Sequence, residues 1–424
     1  MQSQGLVNES VDHLFRRDIG QMTSVLTRIF GFGKLDLVED ALQVALIRAL
    51  NQWKFKGIPR NPKAWLIQVA KNHLLDQLRR DNKSVNFDDE QRKTEIYANE
   101  VDFRDSVYFN DEIHEDQLQM IFACCHPSIP VDSRIALTLK TIGGFSTTEI
   151  AHSFLAKKDA IAKMIVRAKK RLREHHVTLE IPTPDKIPAR LDAVLKVLYL
   201  MFNEGYTASV GDELTRNDLC YEAIRLVKLL ADYSLVSSPK VNALTALFLF
   251  QASRLPARKA DDGSLLILAE QDRTLWDGEM IADGLRYFRE SASGDEVSNY
   301  HLEAEIASYH ILSKNFKSTD WKSLVAIYQE LLKRKPSPIV ALNKAIALSQ
   351  IKGASVALLE LKALKEKGLD NYYPFYITKG HLLQKTADHA AAIKAYESAL
   401  RLTDNESIKR FVKAKIDSFS YCDT

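Results

Sequence analysis

The sequence predicts an all-α protein. Glycine and proline are sparse, at 16 and 12 of 424 residues, and apolar residues recur at helical rather than alternating spacing along almost the whole chain. Three prolines fall within residues 181–188, which predicts a boundary between an N-terminal and a C-terminal half. We therefore expect several helical domains, in which strands contribute little.

Composition and motifs exclude several classes of protein. Hydrophobic residues make up 46% of the chain, which excludes wholesale disorder, and the net charge of +3 singles out no partner. The longest apolar runs are too short to cross a membrane and the N-terminus lacks the order of a signal peptide, so we expect a cytoplasmic protein with no membrane partner. Cys124 and Cys125 are adjacent rather than spaced for a metal, which predicts free thiols and no metal site.

Motifs of catalysis are missing from the sequence. We find no nucleophile elbow, no glycine loop that would cradle a phosphate and no zinc-hydrolase helix motif. We therefore expect no catalytic residue, no cofactor and no enzymatic activity.

Charge is strongly segregated within the N-terminal half. Residues 9–80 carry a net charge of +5, residues 81–118 carry −8 and residues 145–176 carry +5. The acidic segment has little helical periodicity, so it is predicted to be a flexible linker between two basic helical modules. Its residues leave open whether it is simply solvated or occupies a positively charged channel of a partner.

The second basic module has the pattern of a helix-turn-helix. Ser146 and Glu149 form a predicted capping box at the start of a helix that runs to Leu155, and the next helix is predicted from Asp159 to His176. The second of these helices carries a basic stripe: Lys157, Lys158, Lys163, Arg167, Lys169, Lys170, Arg171 and Arg173. Such a stripe alone is typical of a solvated surface, but on a helix-turn-helix it indicates DNA binding.

The first basic module is predicted to contain three helices. The second runs from Leu35 to about Trp53 and has acidic residues in its first turns, where the helix dipole favours them. The third begins after Pro62 and interleaves aromatic with basic residues, which favours opened single strands because bases stack on rings while phosphates attract cations. Trp53 and Trp65, taken alone, are equally consistent with a hydrophobic core.

Three stretches carry a resemblance to a known family: VEDALQVALIRAL, PKAWLIQVAKNHLLDQLRR and STTEIAHSFLAKKDAIAKMIVRAKKRLRE. They resemble regions 2 and 4 of bacterial sigma-70 type RNA polymerase sigma factors of the extracytoplasmic-function group. Their order, the acidic tether between them and the missing region 3 all fit. The resemblance implies two partners: core RNA polymerase, through its β′ clamp and β flap, and promoter DNA.

The resemblance also implies three sets of contact residues. Polymerase contacts are expected at Asp36, Asp40, Gln43 and Arg48. Contacts to the −10 promoter element are expected at Lys56, Arg60, Asn61, Lys63, Lys71, Asn72, Asp76 and Arg80. Contacts to the −35 element are expected at Lys158, Ala160, Lys163 and Arg167.

The C-terminal half is longer than such a sigma factor needs. The stretches FACCHPSI and RLDAVLKVLYLMFNEGYTAS resemble a subgroup of these sigma factors with a long helical C-terminal extension. Aligning Gly380 with Ala345 reveals a repeat of 35 residues whose small and large positions match the tetratricopeptide (TPR) pattern. Stacked helix pairs offer a concave surface, so we expect a regulatory domain with a protein partner of its own.

Together these observations predict the following organisation. Region 2 covers residues 1–80, an acidic linker 81–111, region 4 residues 112–178, a second linker 179–190 and a TPR-like domain 191–424. The expected function is initiation of transcription of a specific regulon, through recognition of −35 and −10 elements, under control of the C-terminal domain. Two alternatives stay open: a conventional helix-turn-helix regulator that acts without sigma-type polymerase binding, and a TPR scaffold whose N-terminal half binds only protein.

Overall fold

The structure is a computed structural model that describes residues 18–82, 109–153, 156–207, 214–364 and 369–420. The predicted all-α class is confirmed: within these ranges the regular structure is helical, apart from one isolated bridge between Lys259 and Leu265. The chain divides into two compact units, Met1–Leu200 and Met201–Thr424, which we treat separately. The finer domain boundaries given above stay predictions.

Unit 1 begins with α1, whose described part covers residues 18–30. The helices that follow are α2 (Leu35–Lys56), α3 (Pro62–Asn82), α4 (Phe109–Cys124), α5 (Val131–Thr141), α6 (Thr147–Ser153), α7 (Lys158–Glu174) and α8 (Ile187–Tyr206). Helices α3 and α4 therefore extend slightly into the predicted linker 81–111. Most of that linker, residues 83–108, lies outside the described residues.

Helices α1, α2 and α3 share one hydrophobic core. Met22, Leu26, Leu42 and Leu66 are fully buried in it. The buried residues of α2 are Leu35, Val38, Ala41, Leu42, Ala45, Leu46, Ala49 and Trp53. Helical spacing in the sequence also predicts Leu37 and Val44 for the buried stripe, but both are only partly buried.

The capping box at the start of α6 forms as predicted. The Glu149 amide donates to the Ser146 hydroxyl at 3.1 Å, and the Ser146 amide donates to the Glu149 carboxylate at 2.7 Å. Ile150 of α6 and Ile161 of α7 are both fully buried, as the predicted packing of the two helices requires. The sequence pattern also predicts Phe154 in this packing, but Phe154 lies outside the described residues.

The first basic module contacts α4 and the end of α5, which the sequence did not predict. A Cβ atom on Gly20 of α1 would overlap the carbonyl oxygen of Ile142, directly after α5, so the two backbones approach closely. Arg28 of α1 also forms an ion pair of 2.8 Å with the buried Asp116 of α4. The described parts of α1, α4 and α5 therefore pack against one another.

Unit 2 is a series of helices that pack on their neighbours in the chain. They are α9 (Asn217–Asp232), α10 (Pro239–Ala252), α11 (Gly278–Ser291), α12 (Asn299–Leu312), α13 (Trp321–Arg334), α14 (Pro338–Lys352), α15 (Ala354–Leu364), α16 (Tyr373–Lys385), α17 (His389–Arg401) and α18 (Glu406–Ser420). The 35-residue sequence repeat coincides with the helix pairs α14–α15 and α16–α17. Small residues lie buried in both pairs, among them Ala345, Ala357, Gly380 and Ala392.

Replacing Gly380 by alanine is expected to destabilise unit 2 by about 1–3 kcal/mol. A Cβ atom at this position would lie 2.8 Å from the ring of the buried Tyr396, so the ring would have to shift. Urea denaturation of the full chain measures the effect. The matched control is Gly278→Ala, where an added Cβ meets no atom within 4 Å; equal effects of the two substitutions would contradict the tight α16–α17 contact.

Candidate nucleic-acid interface

The outer face of α2 carries the predicted polymerase contacts. Asp36, Asp40, Gln43 and Arg48 are all exposed. Asp36, Asp40 and Gln43 follow one another by about one helical turn and so share a face, which Ile47 continues at the next turn. Ile47 is 59% exposed, an unusual position for a large apolar side chain. The sequence analysis missed Ile47, although its spacing from Gln43 could have revealed it.

Asp36 is engaged by α7. The Lys169 ammonium lies 2.8 Å from the Asp36 carboxylate and 3.0 Å from that of Glu39, and the Arg173 guanidinium lies 2.8 Å from Asp36. Burial raises the pKa of Asp36, but the hydrogen bonds and charges of Lys169 and Arg173 outweigh it and hold this pKa below its usual value. Lys169 was assigned to the free DNA-binding face of α7; this was wrong, because its side chain is only 6% exposed and faces α2.

Replacing Lys169 by methionine is expected to destabilise unit 1 by about 1–3 kcal/mol. The largely buried Glu39 would lose its ion pair with Lys169, and Asp36 would keep only its ion pair with Arg173. The measurement is urea denaturation followed by tryptophan fluorescence. Lys170→Met is the matched control, since Lys170 is 70% exposed and forms only a surface pair with Glu174 at 3.7 Å. Similar losses for both variants would contradict the stabilising role of the α2–α7 ion pairs.

The last turn of α2 presents an aromatic ring to solvent. Phe55 is 89% exposed and Ile58 is 43% exposed, whereas Trp53 is 3% exposed and belongs to the core. Lys54 and Lys56 flank Phe55 and are also exposed. Helix α2 ends at Gly57, whose φ of 76° suits glycine. The surface therefore presents a ring and cations side by side. Phe55 was not predicted from the sequence, where Trp53 and Trp65 were the aromatic candidates.

Several residues of the predicted −10 set lie around the start of α3. Lys56 and Arg60 are exposed, and so is Asn61, whose side-chain oxygen accepts a hydrogen bond from the Ala64 amide at 3.1 Å. Lys63 forms an ion pair of 3.0 Å with Asp18 of α1, so its charge is already compensated. Of the predicted −10 cations at this end of α3, Lys56 and Arg60 are thus the exposed ones.

The rest of the −10 set lies further along α3. Asn72, Asp76 and Arg80 are exposed, and Asp76 lies 4.0 Å from Arg79. Lys71 is only 3% exposed, so its assignment as a DNA contact was wrong. It lies one turn from both Ile67 and Leu75, on the buried stripe of the helix, and this periodicity was already visible in the sequence.

The exposed side of α7 carries the predicted −35 contacts. Lys158, Ala160, Lys163 and Arg167 are all exposed. Ala160, Lys163 and Arg167 line an open cleft of about 970 Å³ together with Lys170 and Arg171. Val166 lies beside Arg167 and is 61% exposed, so an apolar group that the sequence analysis did not single out adjoins the cations. Cations and small apolar groups on one helix face suit phosphates and thymine methyl groups.

The cysteines of the described chain are buried. Cys124, Cys125 and Cys220 are free thiols, which confirms that prediction for these three. Burial raises the pKa of Cys124 to about 12 and that of Cys125 to about 11. Burial, followed by the charge of Arg190, lowers the pKa of the neighbouring His126 to about 4. The thiols are therefore protonated and unreactive near neutral pH.

Comparisons with known proteins agree with the N-terminal geometry. Residues 14–84 match sigma-70 region 2, which covers α1 to α3 and the Phe55 turn. Residues 190–292 match a family of unknown function, DUF6596. An uncharacterized protein of Rhizobium meliloti (strain 1021) is 35% identical over 389 residues, which span 91% of this chain and 90% of that protein. No solved structure matches the chain.

The chain thus belongs to the same family as the Rhizobium meliloti protein. Its sigma-70 region 2 supports an RNA polymerase sigma factor of the sigma-70 family, a class of initiation factors that bind core RNA polymerase and promoter DNA without catalysing a reaction. Among the described helices, none combines the length and hydrophobicity that crossing a bilayer requires.

Proposed function

We propose that the protein is an extracytoplasmic-function type sigma factor that directs core polymerase to promoters with −35 and −10 elements. The observation that carries the proposal is the Phe55 turn: an 89% exposed ring between two lysines, within the segment that matches sigma-70 region 2. In opened promoter DNA, unpaired bases lie next to the phosphates of the same strand. An exposed ring can stack on such a base while the adjacent cations bind the phosphates.

The spacing of helices in unit 1 supports the group to which we assign the protein. Residues 83–108 alone separate α3 from α4. The direct succession of the two helical modules along the chain agrees with the missing region 3 of the extracytoplasmic-function group. The second module then supplies α6 and α7, with the exposed cations of α7 directed at the −35 element and the outer face of α2 at the polymerase.

The experiment is run-off transcription of fragmented genomic DNA from the source organism with sigma-free core polymerase and the purified protein. The proposal predicts a restricted set of start sites that share a two-part upstream motif. Start sites identical to those of core polymerase alone would contradict it. Tight duplex binding by the free protein, without added start sites, would favour the conventional regulator instead.

We propose further that polymerase binding replaces the ion pairs between α2 and α7. Asp36 belongs to the proposed polymerase face, yet its carboxylate is held by Lys169 and Arg173. One carboxylate cannot satisfy these cations and a polymerase contact at full strength simultaneously. The Lys169→Met variant should therefore bind core polymerase more tightly than the native chain in a titration; weaker binding would contradict the competition.

The C-terminal unit is proposed to modulate this activity. In support, the Arg190 side chain at the start of α8 donates a hydrogen bond of 2.5 Å to the Phe122 carbonyl of α4, so the chain leading into unit 2 is fixed to the second basic module. Run-off transcription with residues 1–200, checked for helical content by circular dichroism, tests the proposal. Activity equal to that of the full chain would contradict a modulating role.

A further inference from the structure

Unit 2 contains a cavity that the proposed transcriptional role does not use. It has a volume of about 500 Å³ and lies among α12, α13, α14, α16, α17 and α18, with residues 267–269 along one side. Pockets that hold small organic molecules have volumes of roughly 300–1,000 Å³. Its size therefore suits one small ligand.

One wall of the cavity is aromatic. Phe316, Trp321 and Tyr328 line it, and the rings of Phe316 and Trp321 meet edge to face with centroids 4.8 Å apart. Tyr396 and Phe411 line the cavity as well, and both are buried. The apolar part of a ligand packs favourably against such a wall, above all when it contains a ring.

The charge of the lining has one sign. Lys317, Lys385 and Lys415 line the cavity, and no aspartate or glutamate is among its lining residues. Burial, followed by the charges of Lys385 and Lys415, lowers the pKa of His381, and the opposing effect of Glu270 is the smallest of the four. Lys415 is paired with Glu270, so the exposed Lys385 supplies the positive charge at the end of the cavity near His381, and an anionic group on a ligand would be favoured there.

The chain itself shows this preference along the cavity wall. Ile267 packs against the hydrophobic cluster that contains Tyr396 and Phe411. Three residues later, the Glu270 carboxylate accepts from the Lys415 ammonium at 2.8 Å. Lys415, which lines the cavity, thus already binds a carboxylate of the chain itself.

We propose that this cavity binds a small organic anion, with an aromatic or aliphatic body against Phe316, Trp321 and Tyr328 and one carboxylate or sulfonate near Lys385. The proposal rests on unit 2 alone and does not depend on the function proposed for unit 1.

The test compares two fluorescent probes with the same body, anilinonaphthalene sulfonate and the uncharged phenylnaphthylamine, in titrations of the full chain. We expect one equivalent of the sulfonate to bind about tenfold or more tightly than the neutral probe, because one charge-assisted contact is added. Energy transfer from tryptophan to the bound probe reports the site, and should decrease in Trp321→Phe because Trp321 is the tryptophan that lines the cavity.

Three variants localise the binding. Lys385→Glu should weaken the sulfonate about tenfold and leave the neutral probe unchanged. Lys379→Glu on the same helix is the matched control, because Lys379 does not line the cavity, and it should change neither affinity. Thr378→Trp should fill the cavity and block both probes. Equal affinity for the two probes, or sulfonate binding that survives both Lys385→Glu and Thr378→Trp, would overturn the proposal.

Discussion

Promoter affinity is expected to fall about 100-fold or more when Lys163 and Arg167 are both replaced by glutamate. The two side chains are exposed on α7 and line the same cleft. Each good contact between such a residue and a base or phosphate contributes about 1–3 kcal/mol, and each reversal adds repulsion. The measurement is the affinity of the holoenzyme for a promoter fragment from the run-off experiment, over a series of salt concentrations.

The slope of affinity against salt gives a second, independent readout. Loss of two phosphate contacts should reduce its magnitude by about two units on the logarithmic plot. Lys186→Glu with Lys196→Glu is the matched control, because both lysines are exposed in unit 1 outside α7. An equal loss in the control would show that net charge rather than the α7 face determines the affinity, and would contradict the −35 assignment.

Phe55→Ala is expected to reduce strand opening about 10- to 100-fold while duplex binding and polymerase binding stay unchanged. The Phe55 ring is 89% exposed, so it contributes little to the fold, and stacking of one base on a ring is worth about 1–3 kcal/mol. Fluorescence of aminopurine placed in the −10 element measures opening directly.

Two further variants separate stacking from a general loss of apolar surface. Phe55→Trp keeps a ring and should open the promoter at least as well as the native chain. Leu359→Ala removes a side chain that is 65% exposed in unit 2 and should have no effect. Full opening by Phe55→Ala would contradict the proposed capture of an unpaired base.

Features that depend on neighbouring residues could be predicted from the sequence. The capping box of Ser146 and Glu149 forms with both hydrogen bonds, because its geometry is set within one helical turn. The start of α7, predicted at Asp159, lies at Lys158 and so was predicted within one residue. Lys71 shows the limit of judging a residue by type: its charge indicated DNA, whereas its position on the apolar stripe of α3 places it in the core.

Features that join distant residues could not be predicted. Lys169 and Asp36 are separated by 133 residues, and no helical periodicity relates α7 to α2. The exposure of Phe55 next to the buried Trp53 depends equally on how α2 packs against α3, since either ring could have faced the core. The cavity of unit 2 requires six helices and two loops to be placed, which no pattern within a single helix specifies.

The most direct test of the account is co-elution of the purified full-length protein with sigma-free bacterial core polymerase in size-exclusion chromatography. The account predicts a stable complex that is lost when Asp40 and Arg48, both exposed on α2, are reversed in charge, and that is retained in the control Glu180→Arg. Absence of a complex for both the full-length native protein and the Lys169→Met variant would contradict the assignment of α2 as a polymerase-binding face.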